Sequence, residues 1–194
     1  MFTHSIARNV TDWLVQGGAV QELNREVYEF GLEKLISLLI NTLIMLVLGS
    51  LFGILLQTIV FYMTYMVLRV YAGGYHAENS IVCFFVSIAI LIPCVIAIRY
   101  YYMWNIPIVF WSLLVASVII LIIVSPVEHK NKMLDAKEKN VYRKRALRNM
   151  LVVATCAIVL TLLSFNIFAV AMLCGIVLTA ATAGLGKLVL ASKT

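Results

Sequence analysis

Charge is what this 194-residue chain has least of: Asp, Glu, Lys and Arg together make up only 12% of it. A soluble domain carries about 25%. With 63% hydrophobic residues and a mean hydropathy of +1.00, the chain is excluded from the soluble class. Histidine and proline are scarce, three of each, and the four cysteines include no CxxC pair and no His/Cys cluster of metal-ligand spacing. That excludes a zinc module and a disulfide scaffold, so no metal and no cofactor is expected. No internal repeat or low-complexity segment is present, and the short loops give no reason for a second domain. The first 34 residues lack an unbroken apolar core and a small-residue cleavage site, so they do not read as a signal peptide. The net charge of +6 does not point to nucleic acid. The basic residues sit in short inter-helix segments, where they read as topology signals and contacts to anionic lipid.

What is present is a series of apolar runs. Residues 35–56 are uncharged over 22 positions, and a bilayer needs about 20. Further runs cover 59–72, 81–98, 106–124, 147–165 and 168–185. The fold class is therefore all-α, a polytopic membrane protein of about six transmembrane helices forming one membrane domain over 1–194. Gln57-Thr58 is expected as the first inter-span turn, Pro93 as a kink, and Asn166 as the turn before the last span. Arg99 with Tyr100, Tyr101, Tyr102 and Trp104 forms an interfacial aromatic belt. The segment 1–34 carries Ile6, Val10, Trp13 and Leu14 at helical spacing, a break at Gly17-Gly18, then Val20, Leu23, Val27 and Tyr28. Two amphipathic helices in the headgroup layer explain this pattern. A helical hairpin packed on its own membrane domain explains it equally.

Charge orients the spans. With the N-terminus inside, the inside segments are 1–34, 69–80, 125–150 and 186–194, which hold fourteen of the fifteen Lys and Arg residues. Arg99 is the one basic residue left outside. The positive-inside rule then puts both termini, the basic loop 125–146 and the stretch 69–80 on the cytoplasmic side.

One stretch carries chemistry: Arg69 to Cys83, RVYAGGYHAENSIVC. Asn79 and Ser80 are both good N-caps for the run that follows. With either as cap, Cys83 lies in the first helical turn, near unpaired amides and the positive end of the helix dipole, which favour the nucleophilic thiolate. His76 is seven residues earlier. On one straight helix the two would be roughly 10 Å apart, beyond the about 2.6–3.2 Å reach of a working base. They can meet only if Gly73-Gly74 and Ala77-Glu78-Asn79 reverse the chain. His76 would then deprotonate Cys83 and later protonate a leaving amine. Arg69 would anchor a carboxylate, either Glu78 or one on the substrate, and either Glu78 or Asn79 would orient the imidazole. The bland alternatives are a headgroup-contact histidine and a packing cysteine. Cys94, Cys156 and Cys174 read as packing residues, and His4 and His129 have no nearby cysteine.

Here the chain resembles the accessory gene regulator B (AgrB) family of quorum-sensing membrane endopeptidases. The resemblance rests on Arg69, on Gly73-Gly74-Tyr75-His76-Ala77 and on Cys83. Ser125-Pro126-Val127 followed by Asn131-Lys132 supports it, being similar to the family's proline-and-lysine loop. It implies a cysteine endopeptidase of the bacterial cell membrane that removes the acidic C-terminal tail of an AgrD-type precursor peptide. Cys83 and His76 would be catalytic, and Arg69, Gly73, Gly74, Glu78, Asn79, Ser80, Pro126, Lys130 and Lys132 supporting or substrate-binding. Cys83 would hold the precursor as a thioester, which a cysteine or serine of the precursor attacks to close a thiolactone or lactone ring. A homodimer is carried by the resemblance alone. The competing readings are a small transporter or peptide exporter, against which the lack of repeated halves counts, and a non-catalytic scaffold.

Overall fold

The computed structural model describes residues 2–19, 21–74, 80–101, 107–127 and 135–191, with side chains except at 2, 3, 34, 80–87, 136 and 190. Within these residues the chain is all-helical, with no strand. In order come α1 (Phe2–Gln16), a single 3-10 turn (Glu22–Asn24), α2 (Arg25–Leu51), α3 (Leu55–Ala72), α4 (Ser80–Arg99), α5 (Pro107–Val124), α6 (Ala136–Leu162) and α7 (Asn166–Ala191). Among the described residues five helices, α2, α3, α5, α6 and α7, are long and apolar enough to cross a membrane. The sixth expected span corresponds to α4, which runs through Pro93 for 20 residues and whose described apolar part is Ile88–Arg99. The protein is a multi-pass membrane protein.

Three helices end in the same way. The carbonyls of their last turn are capped by a residue in the left-handed region and the residue after it. At α1 this residue is Gly18 (φ +72°), with Ala19 N–H donating to the Leu14 carbonyl at 3.0 Å. At α2 it is Gly53 (φ +66°), with Ile54 N–H donating to Gly49 at 2.9 Å. At α6 it is Ser164 (φ +65°), with Phe165 N–H donating to Leu160 at 2.9 Å.

Two expected turns are thereby corrected. The first inter-span turn is Phe52–Ile54, because Gly53 takes a positive φ freely, and Gln57 and Thr58 lie inside α3. The last turn is 163–165, and Asn166 is the first residue of α7.

The N-terminal segment is a helical hairpin whose second arm is the start of α2. The apolar positions Val27 and Tyr28 belong to α2 itself, which starts at Arg25 and continues into its span. α1 lies antiparallel to this extension: Asp12 pairs with Arg25, and His4 Nε2 lies 3.3 Å from Glu29. Ala7 and Thr11 are fully buried at this contact, while Trp13 stays exposed.

α7 is the axis of the bundle. More than half of its apolar window, 56%, is buried, against 12 to 28% for the other four spans. Its sequence explains why: small residues let neighbouring backbones approach closely. A Cβ on Gly175 would come within 2.7 Å of Thr64 Cγ2 and 3.0 Å of the Phe61 carbonyl on α3. Ala169, Ala171, Ala180 and Ala183 are buried along the same helix. Thr179 and Thr182 donate back to the carbonyls of Gly175 and Leu178 at 2.8 and 2.9 Å, so their hydroxyls are satisfied without water. The α2–α3 hairpin closes similarly, with Gly49 against Thr58, where an added Cβ would meet Thr58 Cβ at 2.9 Å. The outer faces of the bundle carry exposed Leu, Ile and Val side chains, as a lipid-facing surface must.

Candidate functional site

The site is built on the end of α3. Gly73 N–H still donates to the Arg69 carbonyl at 3.0 Å, and the chain then leaves the helix through two glycines with φ +72° and +147°. Ser80 is helical again. Residues 69–83 are therefore not one continuous helix, the break being at Gly73-Gly74. Among the described residues α4 runs from Ser80, and Cys83 lies three positions after it on this helix. His76, Glu78, Asn79, Lys130 and Lys132 lie outside the described residues, as do the side chains of Ser80 and Cys83, and the His76–Cys83 separation with them.

What the structure does bring together is the frame around this break. Val127 N–H donates to the Ala72 carbonyl at 2.9 Å, which ties the segment after α5 to the last residue of α3. A Cβ on Gly73 would overlap the Val127 carbonyl oxygen and lie 3.2 Å from its nitrogen. A Cβ on Gly74 would overlap the Arg69 guanidinium and lie 3.2 Å from the Thr182 carbonyl of α7. The Arg69 side chain, half-buried, thus folds along its own helix end onto the Gly74 backbone, with its Cζ 5.6 Å from the Tyr65 ring centre. Four of the expected residues, Arg69, Gly73, Gly74 and Pro126, meet at this junction or directly beside it. Next to Pro126, Ser125 is 5% exposed, and its Oγ has no hydrogen-bond partner among the described residues.

Sequence reasoning misses Thr182 and, although it names Val127 within the proline loop, the contact of Val127 with the turn. Both act at the turn through main-chain groups, which leave no side-chain signature. It also reads 125–146 as loop, whereas the chain is helical from Ala136. The start of α6 is pinned to the last turn of α3. Tyr142 packs on Tyr71 with ring centres 5.9 Å apart, and Arg145 Cζ lies 5.7 Å from the same ring. On the other side, Lys187 Nζ of α7 donates to the Ile123 carbonyl at 3.3 Å, satisfying one of the open carbonyls at the end of α5. The ends of α3, α5 and α7 and the starts of α4 and α6 therefore share one end of the bundle. Among the described residues no group of His, Cys, Asp and Glu is placed to hold a metal ion.

A model of the family described as accessory gene regulator B matches residues 7–183. The chain belongs to the accessory gene regulator B family. It is 31% identical over 149 residues to AgrB-like protein 2 of Clostridium perfringens (strain 13 / Type A), covering 74% of this chain and 68% of that protein. It is 30% identical, over the same shares, to an AgrB-like protein of Clostridium perfringens (strain SM101 / Type A). No solved structure matches the chain. The accessory gene regulator B match takes in the α1–α2 hairpin, the whole Arg69–Cys83 stretch and α7 through Ala183. Membership supports a role in the agr quorum-sensing system and implies a link to an AgrD-type peptide.

Proposed function

We propose that this protein is a membrane-embedded cysteine endopeptidase that trims an AgrD-type precursor peptide and leaves it poised to cyclise. The observation that supports the reading is the helix break at Gly73-Gly74, which interrupts the single straight helix that would hold His76 and Cys83 roughly 10 Å apart. His76 takes the Cys83 proton, and the thiolate attacks the scissile carbonyl. His76 then returns the proton to the departing amine of the tail, leaving the N-terminal part of the peptide as a thioester on Cys83. A side-chain thiol or hydroxyl of the precursor gives its proton to His76 and attacks that thioester, the ring closes as a thiolactone or lactone, and the Cys83 thiolate leaves. Exclusion of water protects the thioester from hydrolysis, which suits a site recessed at a membrane edge.

Arg69, seated on the Gly74 backbone, holds the turn that carries His76, and Glu78 or Asn79 orients the imidazole. Lys130 and Lys132 draw in the acidic tail. Fourteen of the fifteen Lys and Arg residues fall on segments of one side in this topology, which supports a cytoplasmic site and cytoplasmic termini. The test is co-expression with a precursor peptide encoded nearby, followed by mass. Cys83→Ala and His76→Ala should each abolish tail removal while the protein still inserts. Cleavage at the wild-type rate by either variant sinks the dyad. Unchanged function in Cys83→Ala would instead favour the exporter reading.

A further inference from the structure

The first three turns of α6 precede its apolar part, and their rotational setting is fixed by what the rest of the helix touches. Ala146, Met150 and Ala157 are buried against the bundle, whereas Leu151, Val159 and Leu162 are exposed. At about 100° per residue these two sets occupy opposite faces. Carried back along the helix, the same geometry places Lys144 and Arg148 in line with Leu151, Val159 and Leu162. Lys139 and Arg143 fall instead on the side of Ala146 and Met150. All four cations are exposed, and the contacts of Tyr142 and Arg145 with Tyr71 hold the rotation in place.

Depth selects what this outward pair meets. Arg148 stands about 4.5 Å, and Lys144 about 10 Å, along the axis from Leu151. The headgroup layer on each side of the hydrocarbon is roughly 5–8 Å thick. With Leu151 at the hydrocarbon edge, Arg148 therefore leaves the helix at headgroup level and Lys144 about 2–5 Å beyond it, within reach of its flexible side chain, both above a lipid-facing surface. We infer that Lys144 and Arg148 form a binding site for the phosphate of an anionic phospholipid in the leaflet at this end of the bundle. The guanidinium fork of Arg148 grips two phosphate oxygens, and Lys144 adds a point charge from one turn further out. The acyl chains continue along Leu151 and Val159. This site does not depend on the peptidase reading, and its readout is lipid rather than peptide.

The test uses the full-length protein in detergent micelles doped with phosphatidylglycerol or phosphatidylcholine, with bound lipid counted by native mass spectrometry. The wild type should retain phosphatidylglycerol over phosphatidylcholine. The K144Q/R148Q variant should lose up to roughly thirtyfold of that preference at low salt, which corresponds to about 1 kcal/mol per cation. The K139Q/R143Q variant, with the same charge change on the other face, should keep it. Exchanging the pair (Lys144→Arg with Arg148→Lys) retains both charges but moves the fork one turn outward, and should keep a preference between those of the wild type and K144Q/R148Q; loss as complete as in K144Q/R148Q would overturn a site to which charge contributes. Undiminished retention by K144Q/R148Q, or equal loss from the two glutamine pairs, would also overturn it. If K144Q/R148Q keeps its phosphatidylglycerol but no longer binds a poly-glutamate peptide, the face serves an acidic protein partner and the lipid assignment is wrong.

Discussion

The amide of Val127 donates to the carbonyl of Ala72 at 2.9 Å, joining the segment after α5 to the last residue of α3. Ala72 is the final helical residue before the Gly73-Gly74 turn, so one hydrogen bond couples two connections separated by two helices. The packing is tight enough that the two glycines have no room for a side chain.

Gly73→Ala should therefore damage both fold and function. The left-handed φ of +72° is unfavourable for alanine, and the new methyl would strike the Val127 carbonyl. Backbone strain of this kind costs on the order of 1–3 kcal/mol. A lowered melting temperature in detergent and at least a tenfold loss of precursor trimming are expected. Unchanged values for both would show that Val127 does not constrain the turn.

Arg69→Lys should be nearly as harmful as Arg69→Ala. The guanidinium lies against Gly74 and beside the Tyr65 ring, a placement an ammonium does not reproduce. Rates of tail removal measured for both variants check this. Recovery of most activity by lysine would reduce the role of Arg69 to its charge.

A membrane-impermeant thiol reagent applied from the cytoplasmic side should alkylate Cys83 before Cys94, Cys156 or Cys174. Those three sit within the apolar stretches of α4, α6 and α7, while Cys83 closely follows the polar Glu78-Asn79-Ser80 segment in the sequence. Peptide mapping after a short exposure reads the order, and equal labelling of all four would count against a reactive thiolate at Cys83.

Gly175→Ala should lower stability by about 1–3 kcal/mol through overpacking, since its methyl would press on Thr64 and the Phe61 carbonyl. Gly184→Ala, on the same helix, meets nothing within 4 Å and should be close to neutral. Thermal unfolding of the two variants in the same detergent makes the comparison. Equal melting temperatures would mean that α3 and α7 are not closely packed at Gly175.

Lys187→Met should produce a smaller loss, about 0.5–1.5 kcal/mol, the usual net worth of one hydrogen bond. The bond to the Ile123 carbonyl is exposed, so the effect should sit at the low end. No change in melting temperature would mean that water serves that carbonyl equally well.

The amino-acid sequence by itself determines the class, the run of membrane helices and the charge asymmetry between the two sides. It does so because lipid tolerates neither scattered charge nor unsatisfied backbone, so each crossing must appear as an unbroken apolar run. It also marks Arg69, Gly73, Gly74, His76 and Cys83, because glycines and polar groups stand out against such runs. Turns marked by Gly18 are legible for the same reason, whereas Ser164 is not, since serine carries no sign of a positive φ.

Only the tertiary structure decided that α7 is the axis, that α2 turns at Gly53 rather than at Gln57-Thr58, and that Val127 and Thr182 close around the Gly-Gly turn. These outcomes rest on helix-against-helix fit and on main-chain carbonyls and amides, which every residue possesses. No residue type announces them, so they emerge only when the helices are packed together.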